Sequence, residues 1–160
     1  MKLRFATEQA LCDAAADAAL RFRDSGVSPF IVGLSGDLGV GKTTWVRSML
    51  RGLGYSGRVP SPTFTLLEHY EIDSLTVVHL DLYRVNAANE LEFLGLRDWL
   101  ALPEVWLLAE WPENGGAFAG SVDIDFKFSA ALDDTRTLVP TARTARGGRA
   151  LEAWLGGDIK

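Results

Sequence analysis

An α/β fold, built on a mixed and mainly parallel sheet with an antiparallel hairpin inserted, is what this sequence predicts on three observations. Short apolar runs carrying β-branched residues, at Phe30–Leu34, Leu75–Leu80 and Val105–Ala109, read as buried strands. Segments of helical spacing separate them, as parallel strands require. Phe64–Tyr70 and Leu75–Leu80 are separated by the turn-forming Asp73-Ser74, the pattern of a hairpin.

Taken in order, a short apolar start at Leu3–Phe5 precedes Thr7, which is placed to N-cap a helix with Glu8 in its first turn. Leu11, Ala15, Ala18 and Phe22 continue that helix until Gly26 stops it. Phe30–Leu34 follows as a strand bounded by Pro29 and by a glycine-rich stretch from Gly36. A second helix starts at Lys42 and ends near Gly52 and Gly54. Ser56–Pro62 is loop, because Gly57, Pro60 and Pro62 all disfavour regular structure. After the hairpin, Asn86–Leu100 is helical with a break at Gly95, and Val105–Ala109 is a strand ending at Glu110. A loop over Pro112–Gly120 leads to strands at Val122–Phe128 and Arg136–Pro140 and to a closing helix at Ala150–Leu155.

The chain has 160 residues, 48% hydrophobic and 23% charged, the composition and length of one globular domain. Such a chain buries roughly two-thirds of the surface its unfolded form exposes and needs neither disulfide nor structural metal to do so. Sixteen Lys and Arg stand against twenty-one Asp and Glu, a net charge of −5, which argues against charge-driven binding of nucleic acid or an acidic membrane by this chain alone. The single cysteine, Cys12, cannot form an internal disulfide. Neither a signal-peptide run nor a membrane-span pattern is present, so the sequence reads as cytoplasmic.

Gly36-Asp37-Leu38-Gly39-Val40-Gly41-Lys42-Thr43 fits the pattern G-x-x-x-x-G-K-[ST] between a buried strand and a helix, where that motif belongs. Each residue type answers a chemical need. Glycines let successive N–H groups curl around phosphate oxygens, and the helix N-terminus adds positive potential. Lys42 reaches the terminal phosphates, and the Thr43 hydroxyl is offered to magnesium. The expected architecture is therefore the three-layer fold of phosphate-loop (P-loop) NTPases, in one domain over residues 1–160. A mere glycine turn before a helix is the bland alternative. No Asn-Lys-x-Asp stretch occurs, which removes the usual guanine reader and favours ATP.

Hydrolysis of a nucleotide requires magnesium held opposite the loop and a group that orients the attacking water. Asp81 and Glu110 each end an apolar strand, the edge at which α/β sheets bind ligands. One is placed to hold magnesium and the other to support the water, and spacing does not divide the two tasks. Ser61-Pro62-Thr63 carries hydroxyls suited to sensing a terminal phosphate, or is an ordinary entry into a strand. Trp111 directly follows a strand-end acid, as pocket wall or as core. His79 shares a strand face with Asp81 but reads first as a packing residue. Arg84 suits a phosphate, a partner or a surface ion pair. Arg136, Arg143, Arg146 and Arg149 make the tail locally basic, either for docking or as solvated faces.

At this point the chain resembles the bacterial TsaE (YjeE) family. Gly36 to Thr44, Ser61-Pro62-Thr63-Phe64-Thr65-Leu66, His79-Leu80-Asp81-Leu82-Tyr83-Arg84, Glu92-Phe93-Leu94-Gly95-Leu96-Arg97-Asp98 and Glu110-Trp111-Pro112-Glu113 look like that family's successive signatures, in the same order and spacing. The likeness covers roughly Thr7 to Glu113. It implies a small ATPase required for threonylcarbamoyladenosine at position 37 of tRNAs that read codons beginning with A. It also implies docking on the TsaD–TsaB heterodimer, where TsaD transfers the threonylcarbamoyl group and ATP hydrolysis resets the complex. Tracing the likeness residue by residue, Lys42 and Thr43 would hold phosphate and magnesium, with Thr44 completing the loop motif, and Asp81 and Glu110 would be the acidic pair. Ser61, Thr63 and Thr65 would form a switch-like loop, Trp111 a functional aromatic, and Thr7 and Glu8 would fall near the adenine.

Two other readings compete with a partner-activated ATPase. A small-metabolite kinase also fits one phosphate loop in a chain of this size, but needs an acceptor site and an arginine-rich lid, and Pro112–Gly120 holds neither arginine nor lysine. A nucleotide-gated interaction module with little turnover is the third.

Overall fold

A computed structural model describes residues 1–86, 92 and 94–156. Seven strands form one sheet: β1 (Leu3–Phe5), β2 (Phe30–Ser35), β3 (Leu67–Ile72), β4 (Leu75–Asp81), β5 (Val105–Glu110), β6 (Ile124–Ala130) and β7 (Arg136–Ala142). Their spatial order is β1-β7-β6-β2-β5-β4-β3. The central neighbours β6, β2, β5 and β4 are parallel, whereas β3 against β4, β7 against β6 and β1 against β7 are antiparallel. This is the expected mixed sheet with its β3–β4 hairpin; a second hairpin, β6–β7, joins it.

Strands β4 and β5 are buried along their whole length, because cover lies on both faces of the sheet. One face carries α1 (Glu8–Asp24), α2 (Lys42–Gly52) and α4 (Ala145–Leu155). An aromatic cluster seals it. Trp45 of α2 meets Phe126 and Phe128 of β6 at ring-centroid distances of 5.3 and 5.7 Å, and Trp154 of α4 at 5.8 Å. The other face buries Ile31, Val78, Leu80, Leu107 and Ala109 beneath Leu96, Trp99 and Leu100 of the short α3 (Leu96–Leu100) and beneath Phe118. The layers are three, the arrangement expected for a phosphate-loop fold.

Thr7 caps α1 as its position predicts, its Oγ1 accepting from the Ala10 N–H at 3.1 Å. Elsewhere the boundaries move. Strand β3 starts at Leu67 and not at Phe64, because the Leu66 N–H donates to the Pro62 carbonyl at 2.8 Å and Leu66 takes φ 63, a turn that uses up Phe64 and Thr65. The stretch expected as loop after Pro112 winds as 3-10 turns over Pro112–Ser121, interrupted at Gly116. Strands β6 and β7 each run two residues beyond their expected ends, since hairpin pairing carries them to Ala130 and Ala142. Helix α4 begins at Ala145, five residues before the expected Ala150, with Thr144 as its cap. Of the helix expected over Asn86–Leu100, α3 lies after Gly95, the expected break, and residues 87–91 and 93 lie outside the described ones. Among the described residues, no helix is long and apolar enough to cross a membrane.

Candidate functional site

The segment from Gly36 to Lys42 joins the end of β2 to the start of α2, and Gly41 caps that helix with φ 110, a left-handed conformation that glycine adopts without a steric cost. Lys42 opens the helix and is mostly buried. Its Nζ donates to the carbonyls of Gly36 and Asp37 at 2.6 and 2.7 Å and lies 4.3 Å from the centre of the Trp111 ring. Burial pushes the Lys42 ammonium below its ordinary value, and the nearby Glu110, Asp81, Glu113 and Asp37 carboxylates push the other way without cancelling it.

Register delivers the acids. Parallel pairing sets Leu34 of β2 opposite Glu110 of β5, and Glu110 opposite Asp81 of β4. Both carboxylates therefore stand at the carboxyl ends of adjacent parallel strands, facing the same cleft and largely buried. Glu110 Oε1 accepts from the Thr43 hydroxyl at 2.7 Å and lies 2.8 Å from Nε2 of the fully buried His79. Asp81 Oδ1 accepts from the Tyr83 N–H at 3.0 Å, which fixes the carboxylate against its own strand end.

A cleft of about 400 Å³ opens over this ensemble, lined by Lys42, Thr43, Asp81, Glu110 and Trp111 together with Ser61 and Thr63 from the opposite loop. The Ser61 and Thr63 hydroxyls are 2.8 Å apart. Trp111, at φ 57, donates its N–H to the Leu34 carbonyl at 3.0 Å, and its ring packs 4.9 Å from that of Tyr83. Leu38, Gly39, Gly41 and Thr44 also line the cleft. The other loop residues have structural surroundings: Val40 is in the core, and Gly36 presses on the backbone of Phe128.

Like Gly36, Asp37 and Val40 of the loop, the expected site residues Thr65 and Thr7 are not among those that line the cleft. Thr65 turns to Glu68, donating at 3.1 Å, and Thr7 gives its oxygen to the α1 cap. Conversely, the cleft includes Tyr83 and Arg136, which the sequence does not single out for it, and Arg84, which it weighs for a phosphate. Tyr83 forms part of its wall. Arg136 of β7 lines it too, while pairing with Glu8 at 3.2 Å. Arg84 lines it with its guanidinium 4.9 Å from the Phe64 ring. His79 is buried as a packing residue would be, yet it also touches the acid Glu110. Its alternation with Asp81 was the available signal; for Arg136, which arrives from a distant strand, there was none.

The family model described as "Threonylcarbamoyl adenosine biosynthesis protein TsaE" matches residues 5–138. The TsaE protein of Haemophilus influenzae is 41% identical over 124 residues, 78% of this chain and 77% of that one. The TsaE protein of Bacillus subtilis is 41% identical over 112 residues, 70% of this chain and 69% of that one. Among solved structures, that of YdiB from Bacillus subtilis superposes with a TM-score of 0.75 at 26% identity, covering 99% of this chain and 95% of that one. The match spans the phosphate loop, both strand-end acids and the Ser61–Thr63 loop. The chain belongs to the TsaE family, and hence to the biosynthesis of tRNA threonylcarbamoyladenosine.

Proposed function

We propose that this chain binds and hydrolyses magnesium-ATP in support of threonylcarbamoyladenosine synthesis at position 37 of ANN-decoding tRNAs by the TsaB–TsaD complex. The observation that carries the reading is the 2.7 Å hydrogen bond from Thr43 to Glu110, which joins the phosphate loop to a strand-end acid. Together with Asp81 on the next strand, these are the donors a magnesium nucleotide requires.

The donor set fits magnesium in kind. Among the described residues no cluster of three or more His, Cys, Asp or Glu is built to cage an ion, and magnesium bound with nucleotide takes only one or two carboxylates, completing its shell with phosphate oxygens and water. Thr43 and Glu110 would hold it, and bound there it would offset charge building on the phosphates.

The chain's own groups do the rest. The Gly36–Thr44 backbone offers N–H groups to the phosphates, and Lys42, already at the loop carbonyls, supplies a point charge without moving far. Glu110, tied to Thr43, is the acid on the metal side. Asp81 is fixed beside it and supports the attacking water. Ser61 and Thr63 face the loop across the cleft and register whether a terminal phosphate is there, while Trp111 and Tyr83 wall the site from solvent.

The test is phosphate release by the purified chain with and without TsaB–TsaD, with Lys42→Ala as control. Slow release that the pair accelerates and Lys42→Ala abolishes is expected. Equal release in all conditions overturns the reading. Transfer of labelled γ-phosphate to a metabolite with no free phosphate makes the chain a kinase instead.

A further inference from the structure

His79 is the buried polar group that the site, as described, leaves without a task. It lies at 0% exposure in β4, flanked by the apolar Val78 and Leu80. A carboxylate accepts hydrogen bonds and does not donate them, so the 2.8 Å contact with Glu110 Oε1 requires the imidazole proton on Nε2. The other ring nitrogen, Nδ1, has no hydrogen-bond partner among the described residues. A side chain present only to fill space would avoid that cost, and the same strand fills neighbouring positions with valine and leucine.

We propose that His79 is a positioning residue for Glu110, a reading that rests on the cleft being a magnesium-ATP site. Glu110 Oε1 receives two donors from two different elements, Thr43 Oγ1 from the first turn of α2 and His79 Nε2 from β4. Both hydrogen bonds fall on one oxygen, so the other, Oε2, is the one left to face ligands of the cleft. Thr43 is itself a candidate ligand and divides its hydroxyl between two tasks. His79 has no other described partner and holds the carboxylate from inside the sheet. Hydrogen bonds of this outer kind orient metal-binding carboxylates.

The full chain is compared with His79→Leu and His79→Met, which remove the donor, and with His79→Gln, which keeps an N–H. Calorimetry gives ATP affinity with and without magnesium, steady-state kinetics give KM and kcat, and long-range proton–nitrogen NMR gives the ring tautomer. The Leu and Met variants are expected to need roughly 10-fold more magnesium for half-maximal ATP binding and to lose roughly 10- to 100-fold in kcat, with magnesium-free affinity within about twofold and Gln recovering much of the loss. Wild-type spectra are expected to show the Nε2-protonated ring.

Folded Leu and Met variants that match wild type overturn the proposal, as does a folded Gln variant no better than they are. An Nδ1-protonated ring overturns it even where the apolar variants do not fold. A wild-type chain that binds ATP without hydrolysing it refutes only the hydrolysis reading, since the magnesium arm still decides. A chain that binds no ATP refutes both.

Discussion

Gly36 is where the phosphate loop leaves β2, and a β-carbon there would collide with the carbonyl oxygen of Phe128 in the neighbouring strand. Its φ of 130 adds a second objection to any side chain. Gly39, in the same loop at φ 77, meets nothing within 4 Å of a built β-carbon. The two glycines of one motif therefore predict different costs. Gly36→Ala is expected to lose about 2–4 kcal/mol of stability from strain and overpacking together, and Gly39→Ala only about 1–2 kcal/mol from backbone strain. Urea denaturation of both variants checks the difference; equal losses would show that Phe128 gives way freely. At this scale legibility follows sequence distance. Lys42 and Thr43 are readable because their setting is local, a strand, a turn and a helix in a row. The contact between His79 and Glu110 joins positions 31 residues apart and depends on a strand register that no local pattern encodes.

Helix α4 shows the same division one level up. Gly147-Gly148 is poor helix material, and on propensity alone the helix belongs after it, at Ala150. Tertiary packing decides otherwise. A β-carbon at 147 would run into the carbonyl of Asp123, so glycine is what lets α4 lie against the start of β6. The buried Asp123 carboxylate then ties the elements together: Oδ2 accepts from the Ile31 N–H at 2.9 Å and Oδ1 from the Thr144 hydroxyl at 2.6 Å, while Thr144 caps α4 by accepting from the Gly147 N–H at 3.1 Å. Asp123→Ala orphans a buried N–H and loosens the cap, an expected loss of about 2–4 kcal/mol, with roughly 2–4 °C of Tm for each. Because Ile31 is at the end of β2 away from the phosphate loop, ATP affinity of the folded variant is expected to stay within about threefold, well under the tenfold that 1.4 kcal/mol represents. Calorimetry below the melting temperature checks this, and a large loss of affinity would mean that the latch reaches the cleft. By contrast, β5 is legible almost to the residue, since a strand covered on both faces reads as an unbroken apolar run that stops at the acid Glu110.

For the molecule as a whole, the question is whether a chain of net charge −5 in a tRNA-modification pathway holds the RNA itself. The tail arginines are the one basic cluster that the sequence offers for this, and the structure neutralises most of it. Arg136 pairs with Glu8 at 3.2 Å, Arg143 with Asp125 at 3.3 Å and Arg146 with Asp123 at 3.4 Å. The guanidinium of Arg146 also donates to the Pro29 carbonyl. Binding phosphates through these groups would first require breaking pairs that partly hold α4 in place. Nucleic-acid affinity of a purely electrostatic kind grows with the number of phosphates neutralised, each contributing about −0.7 to −0.9 to the slope of log K against log salt. The isolated chain is accordingly expected to show no saturable binding of labelled tRNA up to about 100 μM at roughly 0.15 M salt, measured by fluorescence anisotropy. Binding that appears on adding TsaB–TsaD, and that persists when the tail arginines are replaced by glutamine, would place the RNA contacts on TsaB–TsaD. A slope of about −3 or steeper for the chain alone, equivalent to about four phosphate contacts, would instead show that these ion pairs open to RNA and that the acidic balance conceals a real binding face.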